Sequence, residues 1–185
     1  MEALNLLLNR SSFGKLQAPA PNEEELNVIY KAALRAPDHK GLRPWRFLVY
    51  RTEAALNKLG NMFLEATIAE EGEVDEAKRQ KILNMPHRAP VLIIAIAQYQ
   101  DSPKVPHIEQ AISCGCAVHG MLYALQAQGF AGYWRTGGLA FNNHLKAALD
   151  LKVTDEIIGF LYMGTPMVSV VKPDSVETAD YFFEQ

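Results

Sequence analysis

Val91-Leu92-Ile93-Ile94-Ala95-Ile96-Ala97 is apolar at every position. A strand with one wet face alternates apolar and polar residues, so this run reads as a central strand covered on both faces. It is far short of the ~20 residues that span a bilayer. Trp45 to Arg51, rich in aromatic and β-branched residues, reads as a further strand, and Ala131 to Arg135, after the break at Gly129, as another. Ile157 to Met163 is another apolar strand, ended by Gly164-Thr165-Pro166 as a turn.

Helical patterns lie between the strands. Glu2 to Asn9 carries Leu4, Leu7 and Leu8 on one face. Asn22 begins a second helix with Glu25 as its capping-box partner, and Leu26, Ile29 and Ala33 form its buried stripe. Pro37 bounds this helix, because the residue before a proline is pushed out of helical geometry. Ala36 to Pro44 is a loop. Thr52 caps a helix running to about Glu70, and Glu73 to Asn84 forms a charged one that stops near Pro86. His107 to Gln128 predicts a long helix, and Asn142 to Leu149 a short one. Helices and strands mix without strict alternation, which predicts an α+β domain with strands central and helices outside. In the long helix Ala111, Ser113, Gly115, Ala117 and Gly120 are small. Such a helix is buried on most sides, either as the spine of the domain or as the meeting surface of two subunits.

The chain has 185 residues, of which 49% are hydrophobic and 21% charged. That is globular composition and predicts one domain over residues 1–185. No repeat or Gly/Ser linker interrupts it. The net charge of −3 argues against a nucleic-acid partner, whose surface would be strongly basic. No membrane partner is expected. Cys114 and Cys116 are too few for a disulfide framework. Met1-Glu2-Ala3 offers no positively charged leader, so a reducing, cytoplasmic setting is the expectation.

Several chemistries lack their motifs. There is no G-x-x-x-x-G-K-[ST], no G-x-S-x-G and no G-x-G-x-x-G. Cys114 and Cys116, two apart on a helix, point to nearly opposite sides and cannot share a metal. Cys116 and His119 can share a face, but two ligands do not make a zinc site. These side chains read as a buried thiol and a core histidine, and no metal is expected.

The basic residues gather at turns. Arg10 stands beside Ser11 and Ser12. Arg35, His39, Lys40, Arg43 and Arg46 surround the Pro-bounded loop, and Arg135 lies in Trp134-Arg135-Thr136-Gly137-Gly138. Arginine beside hydroxyls and free backbone N–H groups is the composition of a phosphate cradle. Glycines after Trp134 let the backbone approach a flat ligand closely. An anion joined to a flat ring describes a nucleotide-like cofactor.

Four motifs in order carry a family resemblance. Arg10-Ser11-Ser12 resembles the R-R-S or R-x-S motif of the FMN-dependent nitroreductase family. Ala36-Pro37-Asp38-His39-Lys40-Gly41-Leu42-Arg43-Pro44-Trp45 is similar in spacing to its A-P-S-x-x-N-x-Q-P-W loop. Gly129 to Gly137 resembles the Q-G-[FY]-G-x-x-W-R-[ST]-G segment of the small-subunit, YdjA-like branch. Phe160 to Pro166 resembles that branch's closing strand.

The resemblance implies a nitroreductase-like α+β homodimer, with a mostly antiparallel central sheet and FMN at the subunit interface. It implies NAD(P)H as reductant and a nitroaromatic or quinone-like small-molecule acceptor, served by ping-pong turnover. Arg10, Ser11 and Ser12 would hold the phosphate and ribityl chain. Arg35 and His39 would reach the flavin from the partner subunit, and Trp134, Arg135 and Thr136 would line its ring. No catalytic side chain is implied, because the cofactor carries the chemistry. Ser11, Gly41 and Arg43 depart from the family pattern, which motivates an alternative: a non-catalytic flavin- or nucleotide-binding module on the same scaffold. Lys172 is a candidate late phosphate contact in surroundings that do not match the family's.

Overall fold

The computed structural model describes residues 2–168 and 176–185, so Lys172 lies outside the described residues. In chain order the elements are α1 (Ala3–Asn9), β1 (Leu16–Gln17), α2 (Glu23–Ala33), β2 (Trp45–Tyr50), α3 (Glu53–Glu71), α4 (Glu76–Leu83), β3 (Val91–Ala97), α5 (His107–Ala127), β4 (Ala131–Arg135), α6 (Gly138–Phe141), α7 (Asn143–Ala148) and β5 (Glu156–Pro166). Strand pairing runs β2-β3-β5-β4, with β1 on the far end of β5. Every pair is antiparallel, as the family resemblance implied.

β3 is buried along its whole length and sorts its side chains by parity. Leu92, Ile94 and Ile96 enter a core shared with Leu56, Leu59 and Phe63 of α3. Val91, Ile93, Ala95 and Ala97 enter a second core with α2 and α5. A strand alternates its faces with period two, so one uninterrupted apolar run serves two helix layers. On α5 the buried set is Gln110, Ser113, Cys114, Ala117, Val118, Met121, Leu122 and Leu125, a strict three–four spacing. The helix is therefore a spine, and its outer face still exposes Ile108 and Ile112.

Caps form where the sequence places them. The Asn22 side chain accepts from Glu24 and Glu25 N–H, and the Glu25 carboxylate accepts from Asn22 N–H at 2.7 Å. Thr52 caps α3. The charged helix is shorter than expected, because Asp75 caps it at Glu76. The expected turn at Gly164-Thr165-Pro166 is strand instead. Leu16 pairs with Pro166, Gln17 with Thr165 and Ala131 with Gly164, so this end of β5 is held by partners distant in sequence. The expected helix from Asn142 to Leu149 forms as α7, capped by Asn142, and a further short helix, α6, precedes it. Leu4, Leu7 and Leu8 stay exposed on α1, which buries none of its residues.

A bulge in β5 shapes the sheet edge. Ala95 faces Gly159 and Ile96 faces Ile157, leaving Ile158 as the extra residue. Gly159 has φ +154°, and a Cβ there would overlap the Trp134 indole and lie 2.7 Å from the Arg135 carbonyl oxygen. The Gly159→Ala variant is expected to lose about 1–3 kcal/mol of stability and to shift Trp134 emission. Urea unfolding and fluorescence in a Trp45→Phe background would show both effects. Unchanged emission and midpoint would show that the indole does not need this glycine.

Candidate functional site

Arg10, Ser11 and Ser12 leave α1 and are strapped across the body of the protein. Gln126 on α5 accepts from Ser11 N–H at 3.3 Å and donates to the Asn9 carbonyl at 3.1 Å. Phe13 N–H donates to the Gly132 carbonyl at 3.2 Å, so the segment runs beside the start of β4. The Arg10 guanidinium lies 3.4 Å from Ser12 Oγ, and no carboxylate among the described residues pairs with it. Partial desolvation, with the Arg10 charge second, holds His119 below its ordinary range.

Trp134, Arg135 and Thr136 end the same strand. Trp134 is half-buried, donates from Nε1 to the Ile158 carbonyl at 3.2 Å and lies flush against Gly115 of α5. Arg135 and Thr136 are exposed, and the guanidinium sits 5.2 Å from the Tyr133 ring centroid. Gly137, with φ +84°, then turns the chain into α6. Beside this turn is a cleft of about 150 Å³. Small-molecule sites usually have ≈ 300–1,000 Å³, so this cleft does not enclose a nucleotide-sized ligand by itself.

His39 lies elsewhere. Its Nδ1 is 2.7 Å from the Glu109 carboxylate on the first turn of α5. Its loop is held by Asp38, which accepts from Leu42 N–H at 3.1 Å and Arg43 N–H at 2.8 Å, and by Ser113, which donates to the Pro37 carbonyl at 2.6 Å. Arg35 is exposed where the chain runs between α2 and this loop. Glu109 and Gln126 are seventeen positions apart on one helix, or about 25 Å along its axis at 1.5 Å per residue. Within one chain, therefore, the Arg10–Ser12 strap adjoins β4, whereas His39 is anchored toward the opposite end of α5.

Sequence reasoning missed the positions that support these residues. Gln126 ties the strap and Glu109 holds His39, yet each looks like an ordinary polar helix residue. Arg88 lines the cleft beside Arg135, although 47 residues separate them. No local pattern marks such a pairing.

These residues are similar to known proteins. The model of the Nitroreductase family matches residues 7–165. The chain belongs to the nitroreductase family. An Escherichia coli relative named "Putative NAD(P)H nitroreductase YdjA" is 41% identical over 98% of this chain and 100% of its own length. A Haemophilus influenzae relative named "Putative NAD(P)H nitroreductase" is 42% identical over 90% of each chain. Among solved structures, a nitroreductase-like protein from Bacillus cereus superposes with a TM-score of 0.86 at 22% identity, covering 100% of this chain and 96% of that one. A Bacteroides fragilis nitroreductase with bound FMN gives 0.73 at 18%, with both chains covered in full. These two share the nitroreductase-like fold seen here.

No group of three or more His, Cys, Asp or Glu suited to a metal occurs among the described residues. Cys114 is fully buried, and burial pushes its thiol up to about 12. It is expected to resist thiol reagents at pH 8 in the folded protein and to react only on unfolding. Reagent titration with and without denaturant would measure this, and prompt labelling of native Cys114 would contradict it.

Proposed function

We propose that this chain is an FMN-dependent NAD(P)H oxidoreductase of the nitroreductase type. It works as a homodimer in the cytoplasm, passing electrons to nitroaromatic or quinone-like acceptors by ping-pong turnover. Each 1–185 domain contributes to two sites at the subunit interface.

The observation that carries this reading is the separation of the strap from His39. A two-fold axis that packs the α5 helices antiparallel would bring the partner's Arg35 and His39 to the strap and β4 of the first chain. An isologous contact of this kind generates two equivalent sites. The apolar faces left open support it: Leu4 is 67% exposed, Leu8 73% and Ile112 58%. Apolar side chains left exposed on α1 and α5 are available for burial against a second subunit.

The residues fit FMN by their donor chemistry. Arg10 and Ser12, with the Ser11 segment fixed by Gln126, would hold the phosphate and ribityl chain. Arginine suits a phosphate because its N–H groups form a planar fork. Trp134, Arg135 and Thr136 would line the ring, and close packing against Gly159 and Gly115 fixes the indole at that edge of the sheet. When bound, FMN supplies hydride acceptance and donation. Arg135 and the backbone N–H groups that follow it would stabilise the negative charge that reduction brings. The exposed turn after β4 would leave room for reductant and acceptor to enter in succession.

FMN titration followed by anaerobic stopped-flow mixing with NADH and NADPH tests this reading. The protein is expected to bind FMN and to bleach its absorbance with at least one nucleotide. The Arg10→Ala variant is expected to weaken FMN binding by about tenfold or more, in line with a hydrogen bond to a charged group. Failure to take up FMN would refute the reading, and bound FMN that neither nucleotide reduces would favour the non-catalytic alternative.

A further inference from the structure

The cleft beside the β4–α6 turn is lined almost entirely by donors on its polar side. Arg88 and Arg135 both line it, and both charges act on the Tyr162 phenol. No carboxylate among the described residues pairs with either arginine. In the adjoining groove Glu71 is taken by Lys78 and Glu70 by Asn142. Tyr162 is only 5% exposed, and its hydroxyl, which bonds to no described residue, keeps contact with the solvent of the cleft. A hydroxyl at the wall of a small cleft is placed to donate to a ligand held there. Burial raises the phenol above its ordinary range, with Arg88 and Arg135 opposing, so it stays protonated and can donate at neutral pH. Thr136 adds a hydroxyl at the rim, and Phe63 and Phe160 form an apolar wall.

Guanidinium groups can only donate, and a carboxylate can only accept. A small cleft with two such cations, a phenol that can donate into it and an aromatic wall matches an anion on a single ring. We propose that Arg88, Arg135, Thr136 and Tyr162 form a subsite for a monocyclic aromatic carboxylate. Arg88 and Tyr162 are the binding residues whose side chains no hydrogen bond or ion pair among the described residues engages. Arg135 and Thr136 adjoin the flavin in the reading above, whereas Arg88 and Tyr162 are additional to it; the subsite's role as the acceptor's anchor rests on that reading.

The test is titration of the FMN-loaded protein with benzoate and with methyl benzoate, its uncharged ester, following the backbone amides of Thr136 and Gly137 by NMR. Benzoate is expected to bind saturably, with shifts centred on those amides, and the ester about tenfold more weakly or worse. Arg88→Gln and Tyr162→Phe should each weaken benzoate by about tenfold, the loss expected for a hydrogen bond to a charged group, and Arg88→Lys should recover part of that loss. The conservative Tyr162→Phe change keeps the ring in the core, so a folded variant is available even if Arg88→Gln disturbs the turn. Absence of saturable binding, equal affinity for acid and ester, or shifts centred elsewhere would overturn the proposal. An undiminished preference for the acid in both variants would overturn it as well. So would displacement of benzoate by saturating FMN, because the cleft would then belong to the flavin's own site. If the protein takes up no FMN, the flavin reading fails while the same titration still reports on this cleft.

Discussion

The burial of β3 on both faces is the constraint from which the other features follow. Its even-numbered residues Leu92, Ile94 and Ile96 need one helix layer, and its odd-numbered Val91, Ile93, Ala95 and Ala97 need another. The small Ala95 and Ala97 face the layer built from α2 and α5. A helix that covers this face must run along the sheet, and α5 does so for 21 residues. Its length then fixes how far apart its two ends hold their attached loops. The distance between the Ser11 anchor and the His39 anchor is thus a consequence of core packing.

Much of this was legible because it rests on local chemistry. The Asn22–Glu25 capping box needs only three intervening bonds of sequence and forms as written. The α5 stripe and the β3 run declare their periods without reference to the rest of the chain. Elements defined by distant partners were not legible. β1 is two residues long and exists because β5 offers it Thr165 and Pro166. The same pairing converts an apparent Gly-Thr-Pro turn into strand. Alpha-helical patterning correctly placed Leu4, Leu7 and Leu8 on a helix, but could not say that they would stay exposed among the described residues.

The candidate site shows the same division. Arginine beside hydroxyls and a tryptophan before glycines are compositional signals, and they marked the strap and the β4 end. The residues that hold those groups in place gave no signal of their own. Gly159 matters because the Trp134 indole occupies the space of its missing Cβ, a fact of register across β4 and β5. Arg88 matters because the short turn at Pro86–Arg88 delivers it to the cleft beside Arg135.

One sheet edge therefore carries two kinds of asymmetry. Along β4, Trp134 packs toward the α5 core, whereas Tyr133 packs toward the α3 core with Arg135 stacked on its ring. Strand alternation alone sends adjacent residues to opposite faces. A planar group held beside the indole and an anion held beside Arg135 would consequently occupy neighbouring but separate volumes. Two ligands could be present together, meeting at Arg135 and the turn that follows it. An oxidoreductase that must hold a redox group continuously and exchange its partners needs that separation, and here it arises from a period of two in five residues of strand.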